Sequence, residues 1–169
     1  VYEYTKDGVI TAYYGDKIAS FLSEIDGTKI NEIGVMACFD LDITSVSVEE
    51  GIELINTNAF EGCNADYAYI AASVKNIGER AFANCSKLQE VALCSEDIVL
   101  DNDVFAGTGF IRFDIPCTAD EHVMYDKISD AKGDENFSFS LIHGALTESM
   151  EEKDIYGENM IYCEDCGFK

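Results

Sequence analysis

The residues with the sharpest chemical spacing stand near the C-terminus. Cys163-Glu-Asp-Cys166-Gly has the spacing at which two thiolates share one tetrahedral metal. A full site needs two more ligands. The nearest candidates, Cys117, His122 and His143, stand at no usual zinc spacing. A terminal disulfide, a free thiol pair or half of a site completed elsewhere are the alternatives, and no metal or other cofactor is expected. His122 and His143 are the only histidines, and neither joins a Ser/His/Asp or Cys/His pattern. No G-x-x-x-x-G-K-[ST] phosphate loop and no strand–G-x-G-x-x-G–helix occurs. Among 33 acids, Asp40/Asp42 and Asp101/Asp103 could donate oxygens, but no calcium loop of the D-x-[DN]-x-[DN]-G kind ends in Glu at the right distance. The chain is not expected to be an enzyme.

The charge narrows the partners. Against those 33 acids stand 11 Lys and Arg in 169 residues, for a net charge of −22. Nucleic acid is excluded as an expected partner, because phosphate binding rests on clustered Lys and Arg. Anionic membrane surfaces are disfavoured for the same reason. No apolar run is long enough to span a bilayer, so no membrane insertion of this chain is expected. The strong charge favours a soluble monomer. A 47% apolar fraction argues for a folded chain. The first residue is Val, and Val1-Tyr2-Glu3-Tyr4 has no signal-peptide character, so the chain is expected to be a processed piece.

The elements that would position any site come from an internal repeat. The clearest unit is Ile77-Gly78-Glu-Arg-Ala81-Phe82-Ala-Asn-Cys85-Ser-Lys-Leu88-Gln-Glu-Val91-Ala-Leu93. Its leading apolar residue recurs as Ile33, Ile55, Ile77 and Leu100, at intervals of 22, 22 and 23 residues. A second column reads Cys38, Phe60, Phe82 and Phe105. A third reads Leu41, Cys63, Cys85 and Thr108. Each unit then carries an apolar triplet: Ile43/Val46/Val48, Ala65/Ala68/Ile70, Leu88/Val91/Leu93 and Phe110/Phe113/Ile115.

A unit this short forms one strand and a return segment, and cannot bury its apolar side alone. Stacking the units one strand spacing apart, about 4.8 Å, sets Phe over Phe and Cys over Cys and builds a parallel sheet. Cys38, Cys63 and Cys85 then read as a buried cysteine ladder, since a free thiol packs as a small hydrophobe. Cys94 and Cys117 fall near one post-strand position on adjacent units, where a cross-rung disulfide is conceivable. Residues between the inward triplet members face outward: Ser45, Ser47, Tyr67, Tyr69, Glu90, Ala92, Arg112 and Asp114. Tyr and Arg are the types enriched at binding hot spots. Tyr67, Tyr69, Glu90, Arg112 and Asp114 are therefore the candidate binding residues. An ordinary exposed sheet face is the alternative.

The pattern I-G-x-x-A-F-x-x-C-x-x-L-x-x-V-x-[IL] resembles the BspA-type (Treponema pallidum type) leucine-rich repeat. The lead-in is similar too: Tyr13-Tyr14-Gly15-Asp16, Ser20-Phe21-Leu22, Ile25-Asp26-Gly27-Thr28-Lys29-Ile30, then Ile33-Gly34. The resemblance covers residues 1–116. It departs at Cys38, where Phe is expected, and at Thr108, where Cys is expected. Glu49, Ala71 and Cys94 stand where the family usually has Pro, and Pro116 alone keeps it. The expected fold is an α/β leucine-rich-repeat solenoid, right-handed and β-rich, with parallel strands and short helical or irregular return turns.

The expected organisation is an N-terminal cap (1–32), four repeats (33–116) and a C-terminal cap region (117–169). In the first cap, Val9–Tyr13 and Ala19–Leu22 are expected to pair around Gly15-Asp16. In the last, strands are expected over 137–143 and 159–163, and two helical turns over 146–153. The resemblance implies a non-catalytic protein-binding module of a bacterial cell-surface or secreted protein. Adhesion to a host or neighbouring-cell protein is the implied role. A structural spacer in a larger surface protein, or a zinc or enzymatic role in the C-terminal region, are alternatives.

Overall fold

The computed structural model describes residues 1–142, and the backbone of two further strands. In chain order the first strands are β1 (Tyr2–Tyr4), β2 (Val9–Tyr13), β3 (Ile18–Phe21), β4 (Glu24–Ile25), β5 (Thr28–Lys29) and β6 (Glu32–Ile33). Next come β7 (Ser45–Val48), β8 (Leu54–Ile55), β9 (Tyr67–Ile70), β10 (Asn76–Ile77), β11 (Glu90–Leu93), β12 (Val99–Leu100) and β13 (Ile111–Pro116). One helix, α1 (Glu121–Lys132), precedes β14 (Phe137–Ile142), β15 (Leu146–Lys153) and β16 (Asn159–Cys163).

The coils stack as a parallel β-solenoid. Each repeat coil contributes one strand to each of two six-stranded sheets, whose orders are β1-β2-β6-β8-β10-β12 and β14-β13-β11-β9-β7-β3. The sequence pattern shows one strand per unit, and the structure adds a second. The leading residues Ile33, Ile55 and Ile77 lie in two-residue strands paired in parallel at identical positions. These strands are too short for a period of two to show in the sequence.

The turn after each short strand repeats a backbone device. Met36, Asn58, Arg80 and Asp103 all hold φ between 55° and 57°. Four residues on, Asp40, Gly62, Asn84 and Gly107 are again left-handed. Asn, Asp and Gly tolerate this region; Met and Arg do so at a cost.

Packing follows the columns. Phe60 stacks on Phe82 at 4.9 Å, and Phe82 on Phe105 at 5.9 Å. Where Cys38 breaks the column, Phe21 from β3 fills the space, 5.3 Å from Phe60. At the far end Phe113 meets Phe105 edge-on at 5.1 Å. Cys38, Cys63 and Cys85 are buried. The Cys63 thiol donates to the Cys38 carbonyl (3.0 Å) and the Cys85 thiol to that of Phe60 (3.1 Å). Thr108 instead bonds within its own turn, to Phe105 (2.6 Å).

Three local expectations change, and a helix is added. Val9–Tyr13 and Ile18–Phe21 do not pair with each other; β2 joins β6 and β3 joins β7, each in parallel. The turn between them therefore links the two sheets, as the later turns do. Phe110 is not inward: it is 53% exposed, and Ile111 is buried in its place. The Gly107-Thr108-Gly109 turn lets the strand start one residue later. Residues 117–136 hold a helix, N-capped by Asp120, whose side chain accepts from the His122 and Val123 amides, and C-capped by left-handed Gly133. Its buried Met124, Ile128 and Ala131 keep a helical spacing. Residues 146–153 form a strand, antiparallel to β16. Leu146 and Met150 sit four apart as in a helix, but pairing with a β-forming partner overrides that propensity. The strand expectations for 137–143 and 159–163 correspond to β14 and β16.

Candidate functional site

The long-strand sheet turns alternate residues outward, and its register is continuous from β7 to β13. Tyr67 on β9 lies between Ser45 and Glu90, and Tyr69 between Ser47 and Ala92. Glu90 on β11 faces Arg112 on β13, and Ala92 faces Asp114. All five candidate residues thus share one face across three adjacent strands.

Their side chains interact across the strands. The Arg112 guanidinium reaches the Glu90 carboxylate at 2.7 Å and Asp114 at 3.2 Å. Asp114 first, then Glu90, hold that guanidinium even more firmly protonated. Ala92 points outward yet is only 5% exposed. Burial and the carboxylates of Glu90 and Asp114 raise the Tyr67 phenol above its ordinary pKa. Ala92 stands between Tyr69 and Asp114 in the register, and these neighbours shield it. A side-chain hydrogen bond to Cys94 is the main cause that pushes the Tyr69 phenol up to about 12, with burial, Glu50 and Glu49 adding to it. Both phenols are neutral at physiological pH.

Next to this platform lies a shallow depression of about 570 Å³, lined by Leu88, Glu90, Phe110, Arg112 and Ser138 among others. Sequence reasoning missed Phe110 as part of this surface because the repeat register assigns it to the core. It also missed Cys94 and Glu49 at the edge of the tyrosine pair; their post-strand position, where Pro is usual, is the available signal.

The other candidates resolve into structural roles. Burial lifts the thiols of Cys38, Cys63 and Cys85 well above the ordinary range, to about 11 for Cys63 and about 12 for Cys85. They are poor nucleophiles. Cys94 and Cys117 are not joined by a disulfide. Asp42 pairs with Lys17 (2.6 Å) and accepts from Asn64 (3.0 Å). Asp101 accepts from Asn76 (3.2 Å), and Asp40 and Asp103 serve the left-handed turns. His122 is solvent-exposed. The Cys163 side chain, Cys166 and His143 lie outside the described residues. Among the described residues no group of three His, Cys, Asp or Glu could hold a metal.

A parallel coil stack with periodic apolar columns and one patterned outward face is a leucine-rich-repeat solenoid. The chain belongs to the BspA-type leucine-rich-repeat family: the model of that repeat region matches residues 11–125 in six copies, two more than the four units read from the sequence. Repeats of this family are protein-interaction modules and are typically non-catalytic. The crystal structure of the T. pallidum leucine-rich-repeat protein is similar, with 23% identity and a TM-score of 0.43, over 66% of this chain and 67% of that one. So is that of the pneumococcal vaccine antigen PcpA, with 17% identity and a TM-score of 0.44, over 63% of this chain and 34% of that one. No curated protein matches.

Proposed function

We propose that this chain is a non-catalytic protein-binding module of a bacterial cell-surface or secreted protein, acting in adhesion through the outward face of its long-strand sheet. The supporting observation is the register that gathers Tyr67, Tyr69, Glu90, Arg112 and Asp114 onto one face. Tyrosine and arginine anchors beside a shallow apolar depression are what a protein interface uses. No helix among the described residues is long and apolar enough to cross a membrane. The family supports reading the binding module as displayed or released, and its charge supports a monomer. Residues 1–32 and 117–169 are read as closing the two ends of the stack, which solenoids need to keep core side chains from water.

The test is capture from host or neighbouring-cell surface extracts. Wild type and Tyr67→Ala/Tyr69→Ala are compared at equal thermal midpoints. The double variant is expected to lose the proteins that wild type retains. Equal capture by both removes this face from the function.

A further inference from the structure

The tyrosine pair is more specific than a generic apolar anchor. We infer that Tyr67 and Tyr69 form a π platform that receives a cationic side chain, so that the partner segment is rich in Arg or Lys. This rests on the protein-binding reading above and names the chemistry of its partner.

Three features carry it. First, the Tyr69 ring leans over the sheet, its hydroxyl hydrogen-bonded to Cys94 just after β11. Ala92, the direct cross-strand neighbour of Tyr69, is outward-facing but buried, and Tyr67 stands directly beside Glu90. A ring lying over the sheet turns a π face to solvent. Second, the platform is ringed by carboxylates. Glu90 and Asp114 act on Tyr67, and Glu49 and Glu50 on Tyr69. Arg112 is the single guanidinium paired among them, so negative charge remains in excess beside the rings. Third, the neighbouring strand carries only small outward groups, Ser45 and Ser47, so a long side chain can approach from that side.

A cation over a tyrosine face is attracted by the ring quadrupole, and nearby carboxylates add to the attraction. Arg112 already illustrates the chemistry, since this chain's own guanidinium is held by two of the same carboxylates. An acidic partner would meet repulsion here, and a purely apolar one would leave the carboxylates without compensation.

The probe is a capped Gly-Arg-Gly-Arg-Gly peptide, with its citrulline analogue as the neutral control. Binding is followed by amide NMR shifts on the full chain. The expected result is a saturable shift centred on Tyr67, Tyr69 and Ala92, absent with citrulline and weakened at least threefold by 0.5 M salt. Tyr67→Phe/Tyr69→Phe should retain it, because the π face survives. Tyr67→Ala/Tyr69→Ala should weaken it at least tenfold. Glu49→Gln/Glu90→Gln should weaken it as well, and keeps the rings should the alanine variant fold poorly. Shifts spread evenly over the acidic surface, equal binding of citrulline, or no saturable shift would overturn the inference. If capture of surface proteins still depends on the tyrosines in that event, the face is a binding face for a different chemistry. If both fail, the binding reading fails with it.

Discussion

Phe60 and Phe82 stand 22 residues apart in the chain and face to face in the core, their ring centroids 4.9 Å apart and 14° from parallel. The relationship turns a sequence period into a physical contact. Each ring is fully buried and is shared by two coils. Truncating Phe82 therefore opens a cavity against both neighbours. Phe82→Ala should cost about 3–5 kcal/mol, and Phe82→Leu distinctly less. Urea unfolding followed by circular dichroism checks this. A Phe82→Ala midpoint close to wild type would mean that the ladder does not hold the coils together.

The buried thiols make stability pH-dependent on the alkaline side. Burial raises the Cys63 thiol to about 11 and the Cys85 thiol to about 12. An unfolded thiol ionises near 9, the ordinary value for both. A raised folded value means the folded state prefers the proton. That contribution is complete below the unfolded value and is lost as pH climbs toward the folded one. Stability should thus decline between about pH 9 and pH 11, and less steeply in Cys63→Ala than in wild type. Residue-resolved thiol labelling at pH 8 should modify Cys94 well before Cys38, Cys63 or Cys85.

Glu61 supplies the acid-side counterpart. It is buried at a turn, accepts from Arg80 (2.6 Å) and Asn84 (2.9 Å), and also hydrogen-bonds Asn58. The Arg80 contact first, then Asn58, hold its carboxyl below the ordinary carboxylate value. Its contribution is present above that ordinary value and fades as pH falls through the lowered one. Arg80 is partly solvated, which screens the ion pair. Glu61→Ala should therefore cost only about 1 kcal/mol at pH 7, mostly by leaving Asn58 and Asn84 without their acceptor. The gap between variant and wild type should shrink at pH 3. A gap independent of pH would assign the effect to packing alone.

The sequence exposes what repeats and hides what occurs once. The Phe and Cys columns, the inward triplets and the outward tyrosines were legible because stacking forces the same residue type at the same place in successive coils. The short strands were not, since two residues cannot show a period. Helix α1 was hidden for another reason: its exposed face is strongly polar, and only Asp120, Gly133 and the Met124/Ile128/Ala131 spacing betray it. The platform was legible as a set of residues but not as a geometry. That Tyr69 leans over β11 follows from its hydrogen bond to Cys94 and from Ala92 being both outward and buried, which no pattern of residue types states.

The left-handed turns offer a stabilising change. Met36 holds φ 55° and is 50% exposed, at the turn position that Asn58 fills one coil later with φ 57°. A methionine in this region brings its Cβ close to the following carbonyl, at a cost of about 1–2 kcal/mol that Asn partly escapes. Because the side chain is half in water, little packing is forfeited. Met36→Asn should raise stability by about 0.5–1 kcal/mol, seen as a higher thermal midpoint. Met36→Val, β-branched and ill-suited to positive φ, should lower it.

The register slip before β13 gives the sharpest separation of neighbours. Phe110 fits the inward column by sequence spacing but is 53% exposed, while Ile111 is fully buried. Phe110→Ser should shift stability by less than about 0.5 kcal/mol, as an exposed substitution does. Ile111→Ala should cost about 2–5 kcal/mol by opening a core cavity. The reverse ranking in urea titrations would restore the unslipped register. It would also move Phe110 out of the depression beside Glu90 and Arg112. The two single variants therefore test the register and the composition of the candidate binding face together.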